Sequence, residues 1–235
     1  MTSWIDFWNG NHSIYVNEKH KLAHSDKIFS DILNWLPKDN CSVLDFGCGE
    51  ALYALKLNET CENLILVDTS ENIRKKLQIK TSKQESIKVL SMSDCDALKN
   101  GSVDLILVNS VFQYLNFEQT EEALLLFHRV LKNSGKLIIA DIIPKNLPVW
   151  ADISSLLKFS FKNGFFFFAL LGLFKTYLSD YRSLRRYLGL SLYSSQDFIN
   201  LMSKSHFRAK MEPLNFGHNQ NRFCFSAKKI TNQNK

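Results

Sequence analysis

Val43-Leu44-Asp45-Phe46-Gly47-Cys48-Gly49-Glu50-Ala51 is the stretch that decides how this chain folds. Apolar residues of strand length run into an acid, Asp45. A Gly-x-Gly pair, Gly47 and Gly49, follows, and a helix-compatible run extends from Ala51 to Leu57. The pattern is that of a buried strand ending in a tight turn, with glycine where the backbone must approach a ligand closely. A loop made for nucleotide phosphate avoids a carboxylate at Asp45, whereas a ligand carrying an ammonium group welcomes one.

The segments downstream repeat the theme. Leu64-Ile65-Leu66-Val67-Asp68 is a second short apolar run ending in an acid, spaced from Gly49 so that Asp68 can accept both hydroxyls of a ribose. Lys88 to Leu98 has the form of a third strand whose end carries Asp94, suited to accept from an exocyclic amine. A fourth strand starts at Val103 and breaks at Asn109, before Gln113 and Tyr114. Glu121 to Leu131 is helical in pattern, Asn133-Ser134-Gly135 supplies a stop, and Lys136 to Ile143 is a fifth strand. Such alternation predicts a parallel sheet covered on both faces, with ligands outside the carboxyl ends of the strands.

With these motifs the chain resembles the class I S-adenosylmethionine-dependent methyltransferases, of the type 11/12 kind, from about Ser42 to Ile143. Arg222 to Lys228 looks like that family's last, antiparallel strand. The resemblance implies an α/β fold: a Rossmann-like, doubly wound, mainly parallel seven-stranded sheet with an antiparallel last strand and a helical insertion after the fifth strand. It implies one domain over 1–235. Within it, 1–37 would be an N-terminal lid and helix, 42–143 the cofactor-binding core, 144–192 a hydrophobic helical insertion serving as substrate lid, and 193–230 a C-terminal helix with the last two strands. S-adenosylmethionine would be the cofactor. Asp45 would serve its amino group, and Gly47, Cys48 and Gly49 would offer close backbone. Asp68 with Thr69 would hold the ribose and Asp94 the adenine amine, with Cys95 at the ring edge through its backbone. Asn109 would lie near the reacting methyl. Ala51 stands where the family usually has a third glycine.

Other accounts of the same residues exist. Acids at strand ends are common helix N-caps, and Asn is a common turn residue. A nucleotide-dependent oxidoreductase would want a glycine at Leu52 and would not want Asp45. A non-catalytic binding or assembly protein could keep the fold and use the insertion as an interface. An oxygen nucleophile would need a base, for which His12, His24 and Tyr114 are the candidates; a carbon or nitrogen nucleophile could need none. His20 and His24 stand one helical turn apart, a spacing able to bind metal, but no third ligand accompanies them and no metal is assigned.

The flanking regions bear on the acceptor. An aromatic leader (Trp4, Trp8, Tyr15) precedes a helix over Asn17 to Leu36, and Trp8, Tyr15, Gln113 and Tyr114 are substrate-side candidates. Gly164-Phe-Phe-Phe-Phe-Ala-Leu-Leu-Gly-Leu-Phe174, bounded by Lys162 and Lys175, is shorter than the roughly 20 residues a bilayer span needs. Its apolarity implies burial, contact between copies, or a surface for lipid or a greasy substrate. From Lys175 onward eleven basic residues face three acids, whereas the whole chain of 235 residues is +6. Arg182, Arg185 and Arg186 directly follow the phenylalanines. That pairing suits a peripheral contact with an anionic membrane, an acidic substrate, or a solvated face; nucleic acid is disfavoured because no recognised module accompanies the charge. Five cysteines without a Cys-x-x-Cys pair, and no signal-peptide pattern, point to the cytoplasm, with the inner membrane face as a peripheral location.

Overall fold

The computed structural model describes residues 3–10, 15–38, 40–177 and 185–230. Seven strands form one sheet in the order β3-β2-β1-β4-β5-β7-β6. They are β1 (Ser42–Phe46), β2 (Asn63–Val67), β3 (Ile87–Leu90), β4 (Val103–Asn109), β5 (Leu131–Ile142), β6 (Phe207–Glu212) and β7 (Phe223–Lys229). The first five pair in parallel, and β7 runs antiparallel between β5 and β6. This is the mainly parallel, doubly wound sheet expected from the alternating pattern.

Strand alternation divides the core in two. Leu44, Phe46, Ile106 and Val108 face α5 (Phe117–Val130) and the last helix, α8 (Ser195–Lys204). Val43, Leu64, Leu66 and Leu105 face α2 (Glu18–Leu33), α3 (Ala54–Asn58) and α4 (Glu71–Thr81). Both faces of the central strands are thus covered, which is why they read as continuous apolar runs. Side chains placed for capping set several helix starts: Asn17 accepts from His20 N–H, Ser70 from Ile73 N–H, and Asn116 forms a reciprocal capping box with Gln119.

Three boundaries differ from the sequence expectation. α2 stops at Leu33, ahead of Pro37, because Trp35 N–H turns back to Ile32 O. β3 ends at Leu90, and Asp94 sits in a 3-10 turn, Ser93–Ala97. Asn133–Gly135 is not the helix stop. α5 passes straight into β5 at Leu131, and the 133–135 stretch lies where the register with β4 shifts.

Two elements flank this core. The short α1 (Trp4–Asn9) lies over α4: Glu71 N–H donates to Asn9 Oδ1 at 3.0 Å, and Asn72 Nδ2 donates to its carbonyl at 2.6 Å. The 144–192 region contains a hairpin of α6 (Val149–Lys162) and α7 (Phe166–Tyr177). Among the described residues no helix is long and apolar enough to cross a membrane.

Candidate active site

The carboxyl ends of β1, β2 and β4 border a cleft of about 1060 Å³. The connections turn in opposite directions on either side of β1 and β4, and open α/β sheets bind ligands at such a switch.

Gly47 and Gly49 form the floor of the cleft in left-handed conformations, φ +69° and +55°. The N–H groups of Gly47 and Cys48 both donate to Val67 O, at 2.8 and 3.1 Å, folding the loop over the end of β2. A Cβ on Gly47 would overlap Val111 Cγ2, whereas one on Gly49 would meet nothing within 4 Å. Space beside Gly49 is therefore available to a ligand. Ala51, at the place of a third glycine, also has positive φ (+35°) and is buried. The backbone demand for glycine persists there, and alanine carries the strain.

Asp45 lies behind this loop, not on the cleft wall, and is almost wholly buried. Tyr53 donates its hydroxyl to Asp45 Oδ2 at 2.8 Å. Burial pushes the carboxyl up to about 7, against the lowering effect of the tyrosine bond, and the charge of Asp68 adds to the rise. Such a group gains from a nearby cation.

Asp68 lies on the wall itself. Its Oδ2 accepts from Gly49 N–H at 2.9 Å and its Oδ1 from Ser70 N–H at 2.8 Å. A carboxylate has about four lone-pair sites, so capacity remains for two hydroxyls. Burial raises its pKa, opposed by these two N–H groups and by Arg74. Arg74 also clamps the turn, donating to the carbonyls of Asp68 and Thr69 at 2.9 and 2.8 Å.

The opposite wall follows β4. Asn109 Oδ1 and Gln113 Oε1 are buried acceptors without a protein partner, and both residues line the cleft. Buried polar atoms are rarely left so, and a ligand bearing N–H or O–H groups would satisfy them. Between them Ser110 has φ +59° and donates to Asp141 Oδ2 at 2.6 Å; Asp141 itself has φ +63°. Arg222 bridges Asp141 (2.9 Å) to Asp152 of α6 (3.0 Å), which holds the two strained strand ends and ties the insertion to them.

α1 makes the roof. The Trp4 and Trp8 rings lie 4.8 and 5.4 Å from Tyr114. At the back, Tyr15 and His24 line the cleft, and the Tyr15 hydroxyl is pushed up to about 12 by burial and by Glu50. His24 packs with His20 and His218 at ring separations of 5.6 to 6.2 Å. Burial first, then mutual repulsion, lowers His20 to about 4 and His218 to about 3; burial lowers His24 as well. All three are neutral imidazoles near pH 7. Among the described residues no group of three or more His, Cys, Asp or Glu could hold a metal ion.

The structure thus gathers the glycine loop, Asp68, Thr69, Asn109, Gln113 and Tyr114, with Trp8, Tyr15 and His24, around one space. It does not bring Asp94 or Cys95 there. Asp94 is exposed and accepts from Ser91 N–H (2.8 Å) and Oγ (2.7 Å), while Cys95 is buried in the core; Met92 lines the cleft on that side. His12, Arg182 and the tail 231–235 lie outside the described residues. Sequence reading passed over Tyr53, Val111 and the Ser110–Asp141–Arg222 network. Tyr53, two residues past Ala51, had a signal in its closeness to the loop; the network joins residues too far apart in the chain to have one.

Residues 44–139 match the family model described as "Methyltransferase domain". Over these residues the chain is similar to methyltransferase domains. An uncharacterized methyltransferase of Schizosaccharomyces pombe is 28% identical over 132 residues, covering 52% of this chain and 46% of that protein. One from Bacillus cytotoxicus is 24% identical over 131 residues, covering 54% and 58%. The aligned part thus spans about half the length of these relatives. The chain also shares its fold with magnesium protoporphyrin IX methyltransferase from Synechocystis, solved with bound SAH: TM-score 0.57, 15% identity, 95% of this chain and 92% of that one.

Proposed function

We propose that this chain transfers a methyl group from S-adenosylmethionine to a small, hydrophobic or lipid-like acceptor held in the same cleft. The observation that carries the reading is the cleft's size and asymmetry. At about 1060 Å³ it reaches the upper end of single-ligand pockets (roughly 300–1,000 Å³), with a polar glycine-loop side and an aromatic roof. Two ligands, one polar and one greasy, account for both halves.

Bound on the glycine loop, S-adenosylmethionine supplies a methyl already activated on a sulfonium. The chain's task is alignment and exclusion of water. In this reading Gly47, Cys48 and Gly49 leave room for the amino-acid end, and Asp45 behind them favours its positive charge. Asp68 accepts the ribose hydroxyls beside Thr69, and Met92 gives an apolar wall for the adenine. Asn109 and Gln113 accept N–H groups near the reacting carbon. Trp4 and Trp8 over Tyr114, with residues 1–37 generally, close the acceptor side, and the 144–192 insertion forms the outer lid. His24, neutral and with Nδ1 unpartnered, would take the proton from an oxygen nucleophile. The free thiols agree with a cytoplasmic location.

Calorimetric titration with S-adenosylmethionine, S-adenosylhomocysteine and NAD tests this. The first two should bind and NAD should not. Asp68→Ala should weaken them about tenfold or more, the scale of losing charged hydrogen bonds. Binding of NAD alone would overturn the reading.

A further inference from the structure

The α6–α7 hairpin turns its apolar side outward. On α7, Phe167, Phe168, Leu170, Leu171 and Phe174 are all exposed, Phe167 at 78% and Phe174 at 65%. At 3.6 residues per turn these positions fill one continuous arc of about 160°. The inward side carries small residues: Ala169 is fully buried, and Gly172 lies so close to Val16 that a Cβ would overlap it. Phe165, just before the helix, stacks on His20 at 5.0 Å. The helix is thus seated flush through its small side, leaving the large apolar side in solvent. The patch continues onto α6 through Phe161, itself 78% exposed, whose ring lies 6.2 Å from Phe166.

Charge around this face has one sign. Lys158, Lys162 and Lys175 are exposed, and none has an acidic partner among the described residues. Between Asp152 and Asp180 the sequence has no acid, and Asp152 is drawn away onto Arg222 and Asn219. α7, at 12 residues, is about 18 Å long against a hydrocarbon core of about 30 Å, so it cannot span a bilayer. A short helix with an outward aromatic face and basic flanks suits the plane of a membrane interface.

We propose that the α6–α7 hairpin is a docking surface for an anionic lipid bilayer, lying in the headgroup region with Phe161, Phe167, Phe168 and Phe174 inserted. A second copy of the chain fits less well, because pairing this face with itself would oppose two sets of uncompensated lysines. The hairpin's base is fixed to the site by Arg222–Asp152 and by Ser155, which donates to His218 O at 3.1 Å. Docking there would hold the cleft in a set orientation to the bilayer. Delivery of a lipid-borne acceptor rests on the function proposed above; the docking itself does not.

Vesicle flotation of the full chain tests it, with S-adenosylhomocysteine titration of each variant as the control for folding. The protein should float with phosphatidylcholine–phosphatidylglycerol vesicles and not with phosphatidylcholine alone, and high salt should release it. Lys162→Gln and Lys175→Gln should each lower partitioning about fivefold, and Phe167→Ser with Phe174→Ser should abolish it, with cofactor affinity unchanged. No flotation on anionic vesicles by a chain that still binds S-adenosylhomocysteine would overturn the docking and spare the methyltransferase reading. Flotation without cofactor binding would do the reverse. Self-association removed by Phe167→Ser, with no lipid binding, would assign the face to a second copy instead.

Discussion

Tyr53 reaches over the glycine loop and donates to Asp45, the residue the loop hides from the cleft. With the carboxyl raised to about 7, the folded chain keeps a proton that the unfolded chain, with an ordinary value near 3.9, has released. This contribution to stability is complete below the ordinary value and is lost as pH rises through about 7. Asp45→Asn should therefore raise the ligand-free Tm at pH 8 relative to the parent and shrink the difference between pH 5 and pH 8. S-adenosylmethionine, through its ammonium, should stabilise the parent more at pH 8 than at pH 5.5, and Asp45→Asn should lose that asymmetry. Equal thermal shifts at both pH values in the parent would remove Asp45 from the cofactor site.

Gly47 and Gly49 share positive φ but not surroundings. Gly47→Ala should cost about 3 kcal/mol, the left-handed penalty plus overlap with Val111. Val111→Ala in the same chain should recover part of it in urea unfolding. Gly49→Ala meets open space and should cost only about 1–2 kcal/mol of stability, while weakening S-adenosylhomocysteine more than Gly47→Ala does. An identical loss of stability at both positions would contradict the packing described.

Much of this was legible from the chain. Strand-length apolar runs ending in Asp45, Asp68 and Asn109 placed three sides of the cleft, because strand ends in a parallel sheet converge whatever the intervening helices do. Asp94 stands off the cleft for a local reason. Its carboxyl caps its own turn through Ser91, a role that short polar side chains fill as readily as ligand binding. The α5–β5 junction misled because Asn133-Ser134-Gly135 resembles a helix stop, while pairing with β4 extended the strand back to Leu131. His218 could not be linked to His20 and His24 by spacing, since only the folded chain brings its loop against α2.

The Asp94 placement gives a direct contrast. Asp94→Ala should change S-adenosylhomocysteine affinity less than threefold, where Asp68→Ala should weaken it about tenfold. Comparable losses of affinity would mean that Asp94 leaves Ser91 to meet the ligand.

The histidine cluster sets an acid limit. His20 and His218 remain neutral in the folded chain down to about 4 and 3, whereas unfolded histidines take up protons near 6.5. The unfolded state binds more protons below that value, so this contribution to stability falls as pH drops from about 6.5. His218→Phe, which keeps an aromatic ring against Phe159, should flatten the fall in Tm between pH 6.5 and 4.5. An unchanged slope would place the acid sensitivity elsewhere.

The position of β7 also has a consequence for how the chain is made. β5 is paired on one side by β4, but its other neighbour is synthesised only after the whole hairpin and α8. Until then Leu137-Ile138-Ile139-Ala140 presents an open, apolar strand edge, the kind that recruits other chains. Truncation between Ile142 and Phe223 should therefore yield aggregates, not a smaller folded protein.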